Sequence, residues 1–387
     1  MADKHPVLIA GAGIGGLALA LALAQGGFEV SVIERSPALQ EVGAGLQLSP
    51  NASRILDALG LGPALDRAGT RPDAVRVLDG RSGKSIVSLQ LGRSAEARWG
   101  APYRVIHRAD LQRVLVEAVL AEGVTVELGT ELVDFAETDA GVLTHLRSLD
   151  GDETRTSTVL VGADGLNSAV RARLGGSVPK FSGQIAWRAT LPMDSRNETG
   201  LWLGPGGHLV SYPLNSGNLM NLVAVTTGAA GGDEWASPAS GEELARVFGA
   251  WAKPAQALIL AARPWTRWPL YDLEPSSVWG TGRVTILGDA AHAMLPHLAQ
   301  GAAMAIEDAA ALASSFSQLP EAPQAALRRY EAARQPRTAA AWAGARKNGR
   351  IYRLSGPAAF ARDNAFRLLG GERILGRLDW LYSYRGA

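Results

Sequence analysis

The sequence predicts an α/β fold in which a doubly wound domain is interrupted by a β-rich insertion and closed by a helical C-terminal segment. Three observations carry this. Val7 to Phe28 is uncharged and holds Gly11, Gly13 and Gly16 between a β-type segment and an Ala/Leu-rich helical one. Two later turns, Asp164-Gly165 and Gly288-Asp289, each follow a short apolar strand pattern and precede a helical one. Between them, from about Phe181 to Leu273, strand patterns dominate, whereas from Gln300 onward the periodicity is helical.

An uncharged apolar run longer than about 18 residues is also the pattern of a membrane span. With Lys4 and His5 ahead of it, it resembles an export signal too. The glycines argue otherwise. They stand in G-x-G-x-x-G register directly after "PVLIA" and before Ile14 to Gln25. One bends the chain, one lets a pyrophosphate approach the backbone, and one lets helix and strand touch. The helix start offers free N–H groups and the positive end of its dipole. After Gly26-Gly27, a second strand, "FEVSVIE", ends in Glu34, with Arg35 next. An acid about 20 residues beyond the glycines is placed to accept hydrogen bonds from a ribose. The start is therefore Rossmann-like, with Arg35 a further expected cofactor contact. This register does not separate NAD from FAD, and no second long uncharged run supports a membrane protein.

Bulk properties narrow the function classes. With 38 basic and 37 acidic residues among 387, the net charge of +1 gives no reason to expect nucleic acid or an anionic membrane as partner. The chain has no cysteine, which removes disulfides, thiolate metal sites and cysteine nucleophiles and fits a cytoplasmic protein. No His/carboxylate spacing resembles a metal site.

Along the chain, "SPNASRILDALG" predicts a helix capped by Ser49 or Asn51, and "HRADLQRVLVEAVLAEG" one with Leu111, Leu115, Val119 and Leu120 on one face. "VTVELG" then reads as a strand, and alternation with turns at "TDAG" and "LDGDE" as a β-meander to about Gly162. Asn167 and Ser168 open the helix after Asp164-Gly165. The expected division is a nucleotide-binding domain of residues 1–72, 100–180 and 274–345, a β-rich domain of 73–99 and 181–273, and a helical segment of 346–387. The aromatic-rich end "RLDWLYSYR" covers either the chain's own core or a second copy, so monomer and homodimer both stay open.

Three glycine–acid turns in this order, from Gly11 to Asp289, resemble the single-component FAD-dependent aromatic hydroxylases, whose fold is of the para-hydroxybenzoate hydroxylase type. The resemblance covers essentially the whole chain. It implies that Gly11, Gly13, Gly16 and Glu34 hold the ADP half of FAD, and that Asp289 contacts the ribityl chain. Asp164 serves FAD and pyridine nucleotide, while Arg108 reaches the pyrophosphate with Gln112 nearby. A buried diphosphate needs a cation and ribityl hydroxyls need an acceptor. No second G-x-G-x-x-G is present, in keeping with a family that lacks a separate nicotinamide domain. NADH or NADPH would be the co-substrate.

The same resemblance implies a reaction through a flavin C4a-hydroperoxide, whose distal oxygen is attacked by an activated phenol. His208 and Tyr212 are four apart on a strand and so share a face. Followed by Pro213, they look like the substrate strand of 3-hydroxybenzoate 6-hydroxylases and of salicylate and 6-hydroxynicotinate hydroxylases. His208 would orient or deprotonate the phenol, its ordinary pKa being near 6.5, and Tyr212 would hold substrate. Gln300 would touch substrate, Pro296 and His297 would form a wall, and the helix starting at Gly301 would aim its dipole at the flavin N1–C2 edge. The stretch Glu41 to Ala52 would lie by the isoalloxazine, with Gln47 where the hydroxynicotinate type has a histidine. Asp73 would line the pocket or sit in a surface turn. The expected activity is hydroxylation of a small phenolic aromatic acid with O2. The first substrate is 3-hydroxybenzoate, giving gentisate, followed by salicylate, 6-hydroxynicotinate and a larger natural product. A non-catalytic FAD-binding scaffold is the alternative from another class.

Overall fold

The structure, a computed structural model, describes residues 6–39, 45–194, 197–229 and 237–385. Its first layer is a six-stranded sheet in the order Gly280–Thr281, Val284–Ile286, Val159–Gly162, Val7–Ala10, Val30–Glu34, Thr125–Leu128. Only the outermost pair is antiparallel. Parallel strands covered on both faces read as continuous apolar runs, which is why Val7–Ala10 and Val159–Gly162 are buried throughout.

The helix Ile14–Gln25 packs against helices Arg108–Ala121 and Gly301–Gln318, so it is apolar nearly all round. Each such leucine contributes about 1.5–3 kcal/mol when fully buried. Two glycines make the close approach possible. Gly11 takes φ +116°, and a Cβ there would lie 2.3 Å from the Ala163 carbonyl oxygen; a Cβ at Gly16 would lie 2.0 Å from that of Gly11. No helix among the described residues is long and apolar enough to cross a membrane.

In the helix Arg108–Ala121 the buried face is Leu111, Val114, Leu115 and Val119. Leu120, expected on that face, is 54% exposed, because at 100° per residue it stands about 180° around from Leu111. The meander forms as the turn signals indicate, from Glu131–Thr138, Gly141–Ser148 and Gly151–Ser157.

The second layer is an eight-stranded sheet that Lys180–Pro192, Leu219–Thr227, Gly207–Leu214 and Glu198–Gly204 traverse in sequence, with Ala74–Asp79 and Ser85–Gln90 at one edge. The early segment joins the late one by parallel pairing of Ala74–Asp79 with Glu198–Gly204. One face packs Trp187, Leu209, Leu222 and Ala224 with Phe248 and Trp251. The alternate residues face the other way, toward the first layer.

The long helix Pro323–Tyr352 and the helices Gly356–Gly376 and Asp379–Tyr382 close the chain. The terminal aromatics cover this chain's own core: Tyr382 meets Trp99 edge-on at 5.0 Å, and Asp379 accepts from Arg98 Nε at 2.7 Å and Trp99 Nε1 at 2.8 Å.

Candidate active site

A cavity of about 300 Å³ lies between the two layers. Its floor is the free face of the eight-stranded sheet, where His208, Val210 and Tyr212 line it from one strand, Val223 and Val225 from the next, and Arg188 from the third. Register sets the rows: His208 pairs with Val225, Val210 with Val223, Val223 with Arg188, and Tyr212 with Asn221. The alternation that buries Trp187, Leu209 and Leu222 thus delivers these residues to the cavity.

His208 is 2% exposed, and its Nδ1 has no partner among the described residues. Its ring stands edge-on to His297 at 5.1 Å and to Tyr352 at 5.2 Å. Burial, with the neighbouring His297 and Arg353, holds the His208 pKa well below 6.5. Burial and Arg353 bring His297 to about 4. At neutral pH the uncharged ring is the stable form, and it is the form that can accept a proton or a hydrogen bond. Both nitrogens of His297 are buried without a partner among the described residues, and its Cδ2 would lie 2.4 Å from a Cβ at Gly349. Tyr212 donates its hydroxyl to the Gly45 carbonyl, and burial raises its pKa. Asn221 Oδ1 accepts from Gly45 N–H at 2.9 Å, so tyrosine and asparagine clamp one peptide end of the strand Gly45–Leu48.

Opposite the floor stand the glycine turn, Gly288-Asp289 and the start of helix Gly301–Gln318. Gly13 lines the cavity, and no atom lies within 4 Å of a Cβ built on it, so a side chain there would enter the open space. Arg108 lines the cavity, is exposed, and has no carboxylate partner among the described residues. Asp289 is likewise exposed on the cavity wall. Glu34, at the end of its strand, accepts Ala12 N–H and Ser36 N–H, both at 2.9 Å. Gln112 Nε2 donates to the Ala12 carbonyl at 2.9 Å, which ties the glycine turn to the helix carrying Arg108.

A family model described as an FAD binding domain matches residues 4–345. The chain belongs to this family, the FAD-dependent aromatic hydroxylases. Over 97% of both chains it is 39% identical to 3-hydroxybenzoate 6-hydroxylase 1 of Aquipseudomonas alcaligenes. It is also 39% identical to the 3-amino-4-hydroxybenzoate 2-monooxygenase PtnB3 of Streptomyces platensis, over 98% of this chain and 96% of that one. Among solved structures, HpxO of Klebsiella pneumoniae complexed with FAD and uric acid superposes with a TM-score of 0.87 at 28% identity, over 98% of this chain and 96% of that one.

As a member of the FAD-dependent hydroxylases the chain binds FAD, and the wall fits it: an open glycine turn with bare N–H groups, a free guanidinium and an exposed carboxylate surround one cavity. Asp164 Oδ2 accepts from Ala169 N–H at 2.7 Å and Val170 N–H at 3.2 Å, capping the helix Ala169–Arg173, while Ser168 caps it from the other side through Arg171 N–H. Arg35 is exposed beyond the strand end, outside the residues lining the cavity. Asp73 is exposed and outside the lining of the cavity; it precedes the strand Ala74–Asp79, and its N–H donates to the Asn197 carbonyl at 2.8 Å. Gln47 lines the cavity with its Oε1 engaged by Tyr103 Oη at 2.5 Å. The expected flavin-side segment at 41–44 lies outside the described residues.

Gln300, expected to touch substrate, lines the cavity with its amide hydrogen-bonded within the protein. Its Nε2 donates to Ser49 Oγ at 2.8 Å and its Oε1 accepts from Asn51 Nδ2 at 3.1 Å. Asn51 also donates to Glu307 at 2.7 Å. Behind it, Arg334 bridges Glu307 at 2.6 Å and Asp308 at 2.7 Å. Asp308 accepts Gly288 N–H at 3.0 Å and meets His292 Nε2 at 2.5 Å. One buried ionic network therefore fixes both the Gly288-Asp289 turn and the loop that ends at Gln300. Sequence reading missed this network and Arg188. A lone arginine in the apolar run "QIAWRATLP" was the available signal for the latter.

Proposed function

We propose that the chain is an FAD-dependent monooxygenase that hydroxylates a small phenolic aromatic acid with NADH or NADPH and O2, in the cytoplasm. The substrate we favour is 3-hydroxybenzoate, converted to gentisate. The observation that carries this reading is one cavity with two kinds of wall: Gly13, Arg108, Asp289 and Gly301 on one side, and His208 and Tyr212 on the other. Both curated relatives at 39% identity act, by name, on hydroxybenzoates. In this reading residues 1–72, 100–180 and 274–345 hold FAD, and 73–99 with 181–273 hold substrate.

When bound, FAD takes hydride from the nicotinamide and activates O2. The chain does the rest. Gly11 and Gly16 shape the turn, Gly13 admits the diphosphate, Arg108 neutralises it, and Glu34 and Asp289 accept from the ribose and ribityl hydroxyls. Gly301 presents its helix N-terminus to developing negative charge. Neutral His208 accepts a hydrogen bond from the phenol and so raises electron density in the ring. Tyr212 and Asn221 hold the strand beside it, and Pro296 with the valine face excludes water.

A second reading, 3-amino-4-hydroxybenzoate, is favoured by the equal identity of its relative. One experiment tests both: purify the yellow protein, follow NADH and NADPH oxidation with 3-hydroxybenzoate, 3-amino-4-hydroxybenzoate, salicylate and 6-hydroxynicotinate, identify products and count peroxide. Gentisate from 3-hydroxybenzoate is the expected result. Slow oxidation yielding only peroxide with every compound overturns the small-acid reading.

A further inference from the structure

An aromatic acid brings a carboxylate, and neither His208 nor Tyr212 is suited to neutralise it. The cavity lining contains two cations, Arg108 and Arg188. Arg108 stands beside the glycine turn, at the diphosphate end. Arg188 stands on the floor in the same row as Val223 and Val210, between the levels of His208 and Tyr212. Two strand spacings, about 9.5 Å, separate its backbone from that of Val210, so an arginine side chain and a benzoate-sized ligand together bridge the floor.

Arg188 is also short of partners. Its guanidinium forms no hydrogen bond or ion pair among the described residues, and its Nε is buried and unsatisfied. It lies over the face of Trp268, 5.3 Å from the ring centroid, and Tyr212 is a second neighbour that favours its charge. Burial has the largest effect and opposes its positive charge, as does Arg108, while Tyr212 offsets part of this. For a half-buried guanidinium whose Nε is cut off from water, the lack of an anion is costly, and a ligand carboxylate would supply one.

We infer that Arg188 is the anion anchor of the substrate pocket, binding the carboxylate of the aromatic acid and selecting acids over neutral phenols. The inference rests on the proposed aromatic-acid reading. A planar guanidinium matches a carboxylate with two parallel hydrogen bonds. Fixing that end sets which ring carbon faces the flavin while the hydroxyl meets His208, so Arg188 governs regiochemistry as well as affinity.

The test uses the FAD-loaded enzyme and two probes of similar shape that lack a phenol, benzoate and benzamide, titrated against the flavin absorbance spectrum. Wild type, Arg188→Met and Arg188→Lys are compared. Benzoate affinity is expected to fall about tenfold or more in Arg188→Met and by less in Arg188→Lys, with benzamide affinity and flavin occupancy unchanged in both. Equal benzoate affinity in all three proteins, equal losses for both probes, or a wild type that does not discriminate the probes overturns the assignment. Loss of flavin from Arg188→Met and Arg188→Lys does so as well, by moving the anion onto the cofactor. Discrimination by wild type that disappears in Arg188→Met supports the anchor even where no hydroxybenzoate is turned over, and in that case the substrate reading fails alone.

Discussion

The imidazoles of His208 and His297 stand edge to face with centroids 5.1 Å apart, both buried and both held in the neutral form. They come from different layers, a strand of the substrate-facing sheet and the turn Pro296–Leu298. A proton on either ring would be desolvated and face the other ring and Arg353.

This pair gives the fold a pH dependence of known sign. The folded pKa of His297 lies at about 4, below its ordinary 6.5. Its contribution to stability is therefore complete above pH 6.5 and is lost as pH falls through 4. His208 acts in the same direction. The thermal midpoint should drop across that window, and His297→Gln should flatten the slope. Equal slopes for both proteins would show that the ring titrates as if unfolded.

His208→Ala should retain FAD and lower the hydroxylation rate about 100-fold, the scale of a lost proton-transfer partner. Tyr212→Phe should also retain FAD, with a smaller loss, because it leaves the Gly45 carbonyl without its donor and loosens the strand bearing Gln47. Stopped-flow rates with product counted against peroxide read both variants. Normal coupling in the two would remove the pair from the mechanism. The acid limb of kcat/KM for wild type should lie below pH 6.5, in line with the depressed His208.

Asp289→Ala should be isolated mostly as apoprotein, since it removes an exposed carboxylate acceptor from the cavity wall. Arg108→Met should weaken FAD about tenfold, the scale of one charge-assisted contact. Flavin fluorescence titration of the two apoproteins checks this. Full flavin occupancy in Asp289→Ala would contradict the ribityl assignment.

The glycine framework was legible because backbone geometry constrains residue type: Gly11 at φ +116° and Gly16 against Gly11 tolerate no Cβ. His208 and Tyr212 were legible because a strand has a period of two. Arg188 shares their face, yet its place beside Val223 depends on the register of a neighbouring strand, which local spacing does not carry. The link from Asn51 to Glu307 spans 256 positions and leaves no local trace. Leu120 left its expected face for a simpler reason, half a helical turn.

Arg334 offers the sharpest test of the network beneath the site. It is fully buried between Glu307 and Asp308, both also fully buried, and it reaches the Met304 carbonyl at 3.2 Å. Arg334→Met keeps much of the volume but takes the guanidinium from buried Asp308 and leaves Glu307 with Arg337 alone, which costs about 3–5 kcal/mol. Despite burial, Asp308 is held at about 2 by His292 and Arg334. Its contribution is complete above its ordinary value near 3.8 and is lost as pH falls through 2. Removing Arg334 should shift that loss to higher pH. Because Asp308 also holds Gly288 N–H, the variant should bind FAD more weakly as well as unfold earlier. Urea unfolding across pH 2 to 7, with flavin release followed in the same samples, separates the two effects. Unfolding at the wild-type midpoint with unchanged flavin release would mean that the network neither supports the fold nor fixes the Gly288-Asp289 turn.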